Sequence, residues 1–369
     1  MIAADGKRAA PPGKVLVIQL GDIGDVVLAT PTFRALSESF PHARVHALVR
    51  KPYGSLLSAD PHLAGILEVS KSPRKFLERV GGTFRLAREL RGAKYDLVVD
   101  LRTGDRGAIL AFLTGAPARV GRHGDEKPFW HDLLFTRVIV SPPHGPPQVH
   151  PGGDQSLRVV REIGVDTEDS RPRLYVDPAA LVRARVLLAA EGIDPDGRFA
   201  TVNPFSRWRY KEWGHPKWSE LIGRLWETHR LPTVVVGSRE EADAAGAIVR
   251  GSGAPTRSTA GKTTLGELAA VLGRSSLHMG VDSAAPHIAA AVGTPSLTIF
   301  GPSDWRAWTV VDDLHRVVTP DRHCVPCHRK GCDGTERSLC LEELTVGEVL
   351  RAVEEILPPA LARLIPPPR

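Results

Sequence analysis

Lys14-Val15-Leu16-Val17-Ile18-Gln19-Leu20-Gly21-Asp22-Ile23-Gly24-Asp25 is the stretch that decides the fold. The apolar run 15–18 has the length of a buried strand, and Gly21 and Gly24 supply a tight turn. From Val26 the apolar spacing is helical as far as Phe40, where Pro41 stops it. Strand, glycine turn and helix in that order open a parallel α/β sheet. Such a turn presents backbone N–H groups and the positive end of a helix to whatever lies above it. The glycines do not form the Gly-x-Gly-x-x-Gly dinucleotide fingerprint. Instead the turn carries a carboxylate, Asp25, at the mouth of the crevice. A carboxylate there opposes anion binding. Either it accepts a proton or it is a first-turn acid that favours the helix dipole.

Working outward, the same alternation recurs. Strands are expected at 45–49 and 97–101, a helix at 107–113 and a short extended piece at 119–121. The segment 141–153, rich in Pro, Gly and His, reads as a loop, and a boundary near 171–177 precedes a helix at 178–191. The pattern then restarts, with strands at 199–202, 233–236, 277–280 and 296–300 and helices at 218–228, 265–272 and 287–292. The expected fold class is α/β, two doubly wound units in tandem. The expected divisions are a disordered tail at 1–13, a first domain at 14–174, a second at 175–345 holding a cysteine loop at 324–340, and a C-terminal helix and tail at 346–369. Ligands in such sheets lie beyond the carboxyl ends of the strands. Segments 21–25, 206–211, 237–241, 282–287 and 301–304 all fall at such ends.

The 369 residues suffice for two domains, and 42% hydrophobic with 24% charged residues is ordinary for a globular protein. A net charge of +6 suits an acidic partner without demanding one. The excess is modest and no recognised module is present, so nucleic-acid binding is disfavoured. No stretch approaches ~18 consecutive apolar residues. The first ten residues contain Asp5, Lys7 and Arg8 and no apolar core of a signal peptide. A cytoplasmic location is therefore expected, with any contact with the inner membrane peripheral. Gly261-Lys262-Thr263 resembles the end of a phosphate loop, but Thr256 stands where the first glycine is required.

Three ordered motifs carry a resemblance. They are residues 14–36, quoted in part above; Gly261-Lys-Thr-Thr-Leu-Gly-Glu-Leu-Ala-Ala270; and Gly280-Val-Asp-Ser-Ala-Ala-Pro-His-Ile-Ala-Ala-Ala-Val-Gly-Thr-Pro295 followed by Phe300-Gly-Pro-Ser-Asp304. Over roughly 14–357 the chain resembles the family 9 glycosyltransferases, the heptosyltransferases of lipopolysaccharide core assembly. The resemblance implies a GT-B fold: two Rossmann-like domains facing across a cleft, acceptor side first and nucleotide-sugar side second. It implies inverting, metal-independent transfer of a heptose or related sugar from a nucleotide donor, usually ADP-heptose. The implied acceptor is a lipopolysaccharide core intermediate, an acidic glycolipid. Two rivals stand beside this reading: a protein O-heptosyltransferase of the same family, and a nucleotide-sugar-binding protein without catalysis.

The resemblance also assigns residues. Asp25 matches the family's base position, and Lys211 matches the lysine that contacts the donor phosphates. Ser206 and Arg207 align with polar residues that meet the same phosphates. The other view of this segment is that Lys211 is solvated and Trp208, Trp213 and Trp218 are packing residues. Asp282 either accepts hydrogen bonds from donor hydroxyls or caps a helix. The amides of Ser283, Ala284 and Ala285 are expected to face a phosphate or sugar hydroxyl at that helix start, and Ala284 stands where the family commonly has glycine. His287 bonds the donor or is an ordinary helix residue. Glu241 matches a carboxylate that binds the nucleotide ribose, with Glu240 leaving the register open by one. On the acceptor side Gly24, Arg102, Arg106 and Arg119 are the candidates, joined by a basic stretch at 71–91 that reads equally as a solvated helix face.

All four cysteines fall in one short segment, Cys324-x2-Cys327-x4-Cys332-x7-Cys340. Four thiolates suit a structural zinc or iron; disulfides or free thiols are the alternatives. No cofactor is expected in catalysis.

Overall fold

The structure, a computed structural model, describes residues 10–70, 76–124, 127–140, 154–309 and 311–362, with the backbone alone for 76–83 and 358–362. Most of the expected N-terminal tail and the whole of the expected loop at 141–153 lie outside the described residues. The chain divides into two compact units, the first ending at Tyr175 and the second beginning at Val176.

In the first unit the strands are β1 (Lys14–Gln19), β2 (Arg44–Arg50), β3 (Gly65–Val69), β4 (Leu97–Asp100), β5 (Ala118–Arg122) and β6 (Arg137–Ile139). The helices are α1 (Ile23–Leu28), α2 (Thr30–Ser39), α3 (Phe76–Gly92), α4 (Asp105–Leu113), α5 (Trp130–Leu133) and α6 (Asp154–Arg161). The sheet is parallel in the order β3-β2-β1-β4-β5-β6, with Val15 facing Val45 on one side and Leu97 on the other. Residues 15–19 and all of β4 are buried. A strand covered on both faces needs an unbroken apolar run, which is what these segments carry.

The helix expected from 26 to 40 is two helices. α1 ends at Leu28, and α2 restarts at Thr30 with Pro31 in its first turn. Pro31 lacks an N–H to continue the ladder. Thr30 turns its hydroxyl back onto the Val27 carbonyl (2.8 Å).

The second unit repeats the plan. Its strands are β7 (Ala200–Asn203), β8 (Thr233–Val235), β9 (Thr256–Ser258), β10 (Leu277–Val281), β11 (Ser296–Ile299) and β12 (His315–Val318). Its helices are α7 (Pro178–Ala190), α8 (His215–His229), α9 (Ala242–Gly251), α10 (Leu265–Arg274), α11 (Ala284–Ala291), α12 (Leu339–Glu343) and α13 (Val346–Ala362). The sheet order is β12-β11-β10-β7-β8-β9, again all parallel. Counted within its unit, each sheet has the order 3-2-1-4-5-6 of a doubly wound fold. α13 joins the second unit's core through Val349, Val353 and Ile356.

This order has one consequence for function. Connections run in opposite directions from the two central strands, which leaves a crevice at their carboxyl ends. In the first unit those strands are β1 and β4; in the second they are β7 and β10.

Candidate functional site

At the first switch point the chain leaves β1 through Gln19, whose side-chain oxygen accepts the Gly21 amide (3.0 Å). Asp25 then folds back on its own turn, and its Oδ2 accepts the Asp22 amide at 2.7 Å. Gly21 is required here: a Cβ at that position would stand 2.3 Å from Asp25 Oδ2. The other carboxylate oxygen, Oδ1, is 2.7 Å from Nη1 of Arg102. Asp25 therefore fills the first-turn role that the sequence offered for it. It completes the first turn of α1, and it presents a carboxylate fixed at both oxygens to the crevice. Gly24 lies in that same first turn.

Arg102 stands two residues past β4, and its position depends on Asp100. The Asp100 carboxyl is fully buried, and its Oδ1 accepts the Arg102 amide (3.1 Å). Its Oδ2 has no hydrogen-bond partner. Burial pushes this carboxyl up to about 8, against the opposing effect of the Arg102 amide and guanidinium. The first turn of α4 presses on it: a Cβ on Gly107 would lie 2.1 Å from Asp100 Oδ2.

The surrounding cations crowd one another. Burial and the charge of Arg50 hold Arg106 below its ordinary basicity; burial and the charges of Arg102 and Arg158 do the same to Arg122. Arg106 donates to the Ser70 carbonyl (3.0 Å), and Arg50 lies 3.5 Å from Asp22. Positive charges forced together at strand ends suit a polyanion. Arg119 is placed differently. Its guanidinium donates to the carbonyls of Leu134 (2.8 Å) and Ala116 (2.6 Å), so it braces backbone. Asp100, Arg50 and Arg158 were not among the expected site residues. For Asp100 and Arg50 the available signal was position, since each closes a strand.

At the second switch point Lys211 Nζ and Asp282 Oδ2 form an ion pair at 2.6 Å, both side chains mostly buried. Asp282 follows β10, and Ser283, not Asp282, holds the N-cap position of α11, without a side-chain capping bond. Ser206 donates through Oγ to the Asp282 carbonyl (3.2 Å), while its amide is taken by Glu212 (3.0 Å). Ser283 donates to Asn203 Oδ1 (2.8 Å) at the end of β7. Ser206, Lys211, Asp282 and Ser283 are thus brought together, with Ala284 and His287 in the first turns of α11 beside them. Arg207 lies next to Ser206 on an exposed stretch. A lysine beside a helix N-terminus is an anion site in chemical terms. Glu241 sits one strand away, its carboxylate accepting the Ser238 amide (2.6 Å). Glu240 is held below the usual carboxylate range by hydrogen bonds from its own amide and the Ser238 hydroxyl.

The packing alternative holds for two of the three tryptophans. Trp213 and Trp218 are buried and meet edge to face at 5.2 Å, whereas Trp208 is 44% exposed. The cysteine loop backs this segment. Ser338 Oγ donates to the Tyr210 carbonyl (2.6 Å), and Lys330 Nζ lies 5.8 Å from the centre of the Trp208 ring. Cys340 is buried and Cys324 exposed. Burial, followed by the charges of Cys332, Cys324 and Cys327, pushes the Cys340 thiol up. Among the described residues no group of three or more His, Cys, Asp or Glu is arranged to hold a metal ion.

Comparison with known proteins agrees with this architecture. The family model for glycosyltransferase family 9 (heptosyltransferase) matches residues 83–336. Lipopolysaccharide heptosyltransferase 3 of Escherichia coli is 29% identical over 344 residues, 91% of this chain and 96% of that one. Among solved structures, a family 9 glycosyl transferase from Veillonella parvula superposes with a TM-score of 0.79 at 20% identity, covering 94% of this chain and 97% of the other. The E. coli ADP-heptose lps heptosyltransferase II gives 0.76 at 19% identity, covering 94% and 99%.

Proposed function

Since the chain belongs to glycosyltransferase family 9, we propose that it transfers a heptose from ADP-heptose to an acidic glycolipid of the lipopolysaccharide core type, with inversion and without a catalytic metal. The heptosyl donor is supported by the relatives, which are lipopolysaccharide and ADP-heptose heptosyltransferases by name. In this reading Asp25 takes the proton from the acceptor hydroxyl as the sugar centre develops positive charge. Its two fixed oxygens aim it and limit its swing. Lys211 answers the charge that appears on the departing diphosphate. Asp282 holds Lys211 in place and offers its carboxylate to the sugar hydroxyls. Ser206, Arg207 and the amides of Ser283 and Ala284 complete the phosphate site, Glu241 faces the ribose, and His287 flanks the donor. Arg102 and Arg106, with Gly24 in the turn, meet the anionic acceptor.

The Lys211–Asp282 pair carries the proposal. A mostly buried lysine is held 2.6 Å from a carboxylate, at a helix start and beyond the two central strands. A packing role does not require a charge in that place. The cysteine loop has a supporting role, holding the 206–211 segment through Ser338 and Lys330.

The test is heptose transfer by wild type and Asp25→Ala, with ADP titration of both. Loss of the base should lower turnover by about 10²–10⁴ and leave ADP affinity unchanged. Full turnover in Asp25→Ala overturns the base assignment, and failure of wild type to bind ADP overturns the donor.

A further inference from the structure

The first unit carries an apolar surface that the catalytic reading does not use. The steps β3 to β4, β4 to β5 and β5 to β6 all cross the sheet in one direction. Right-handed crossovers therefore place α3, α4 and α5 on one face. α3 packs on α4, and α4 on α5. Their inner sides hold the core residues Leu90, Ala108, Leu110 and Ala111. Their outer sides are unusually apolar. Phe84 is 72% exposed, Ile109 41%, Phe112 50%, Phe129 86% and Leu133 70%. On α4 the spacing of Arg106, Ile109 and Phe112 makes one solvent-facing stripe, and Phe129 and Leu133 stand one turn apart at α5. Single exposed apolar residues are ordinary, but a set on three adjoining helices marks an interaction site.

Charge says what kind of partner fits. Arg85, Arg88 and Arg91 are exposed on α3, and helical spacing puts Arg88 and Arg91 on the stripe of Phe84. Glu89 is the only acid among the described side chains of that helix. On α4 and α5 the acids are engaged: Asp105 with Lys127, and Asp132 with His123 and His131. Aromatic and aliphatic tips with a row of arginines on the adjoining α3 match a surface with anionic headgroups over hydrocarbon. Among the described residues no helix is long and apolar enough to cross a membrane, so such contact is with the surface.

We propose that the α3–α4–α5 face docks the protein onto anionic lipid bilayers through Phe84, Ile109, Phe112, Phe129 and Leu133, with the arginines of α3 meeting the headgroups. This goes beyond the transfer reaction, because it requires neither donor nor turnover.

The experiment is co-sedimentation of the full chain with vesicles of phosphatidylglycerol and phosphatidylethanolamine, and with phosphatidylcholine vesicles as the neutral surface. The expected result is pelleting with the anionic vesicles that weakens as salt is raised. The variant Phe112→Ser/Phe129→Ser/Leu133→Ser should bind less by about tenfold per side chain removed. Hydrogen exchange of the β4 amides verifies the fold of the variant's first unit and ADP titration its donor site, so failure of docking and failure of the transfer reading are separable. Wild type that stays in the supernatant, or a variant that pellets like wild type, overturns the proposal. So does light scattering that finds a wild-type dimer and a monomeric variant, since a second copy would then cover this face.

Discussion

Asp100→Asn should change how the stability of the first unit depends on pH. The Asp100 carboxyl is fully buried, lacks a partner at Oδ2, and is pushed up to about 8 from an ordinary 3.8. Between those values the folded chain carries a proton on Asp100 that the unfolded chain has released. Stability from this group is complete below about pH 3.8 and falls as pH rises, levelling off only above about 8. The slope is about 1.4 kcal/mol per pH unit. Between pH 5 and pH 7 the wild type should therefore lose about 3 kcal/mol that an asparagine does not lose. The substitution keeps the neutral shape: its Oδ1 still accepts the Arg102 amide, and Nδ2 replaces an oxygen that has no partner. Because the chain has two units, a single global transition is the wrong observable. Hydrogen exchange of the β4 amides reads opening of the first unit alone, once corrected for intrinsic rates. The advantage in protection of Asp100→Asn over wild type should grow about 100-fold from pH 5 to pH 7, the equivalent of that energy. A difference that stays constant across this range would refute the reasoning, for it would mean that Asp100 ionises in place without cost.

Lys211→Ala should weaken ADP binding by about 10- to 100-fold, the worth of a hydrogen bond to a charged group, read by calorimetry; unchanged affinity removes Lys211 from the phosphate site. Gly107→Ala should destabilise the first unit by about 1–3 kcal/mol, as overpacking does, because its Cβ would fall 2.1 Å from Asp100 Oδ2. In an Asp100→Ala background most of that cost should vanish, and an equal cost in both backgrounds would place the clash elsewhere. Ser338→Ala leaves the Tyr210 carbonyl without its 2.6 Å partner. It should reduce ADP affinity by about three- to tenfold, while Ser338→Thr restores it; an unaltered affinity would separate the cysteine loop from the donor site.

What sequence could reveal here follows from which facts are local. The central strands β1, β4, β7, β10 and β11 are buried on both faces, so each is an apolar run that can be read without knowing its neighbours. The strands that escaped, β3, β6, β9 and β12, all lie at or next to a sheet edge. Each is short and partly exposed, as in Thr256–Ser258, and a short mixed segment has no period of its own. The break at Ala29 was present in the text as Pro31, but an otherwise continuous apolar pattern outweighed it. The site divides in the same way. Lys211 and Asp282 were legible as candidates because each lies in a contiguous motif that carries the family resemblance. The chain of contacts from Asp100 through Arg102 to Asp25 was not, because it joins residues 77 positions apart and exists only once β4 lies beside β1. The cysteines mark the limit of spacing arguments. Four thiols in seventeen residues suggest a ligand set, yet among the described residues no three such side chains are arranged to hold a metal ion, so spacing alone does not fix the geometry. Arg50 makes the complementary point. No motif contains it, and it reaches the site solely because a parallel sheet delivers the ends of all its strands to one edge.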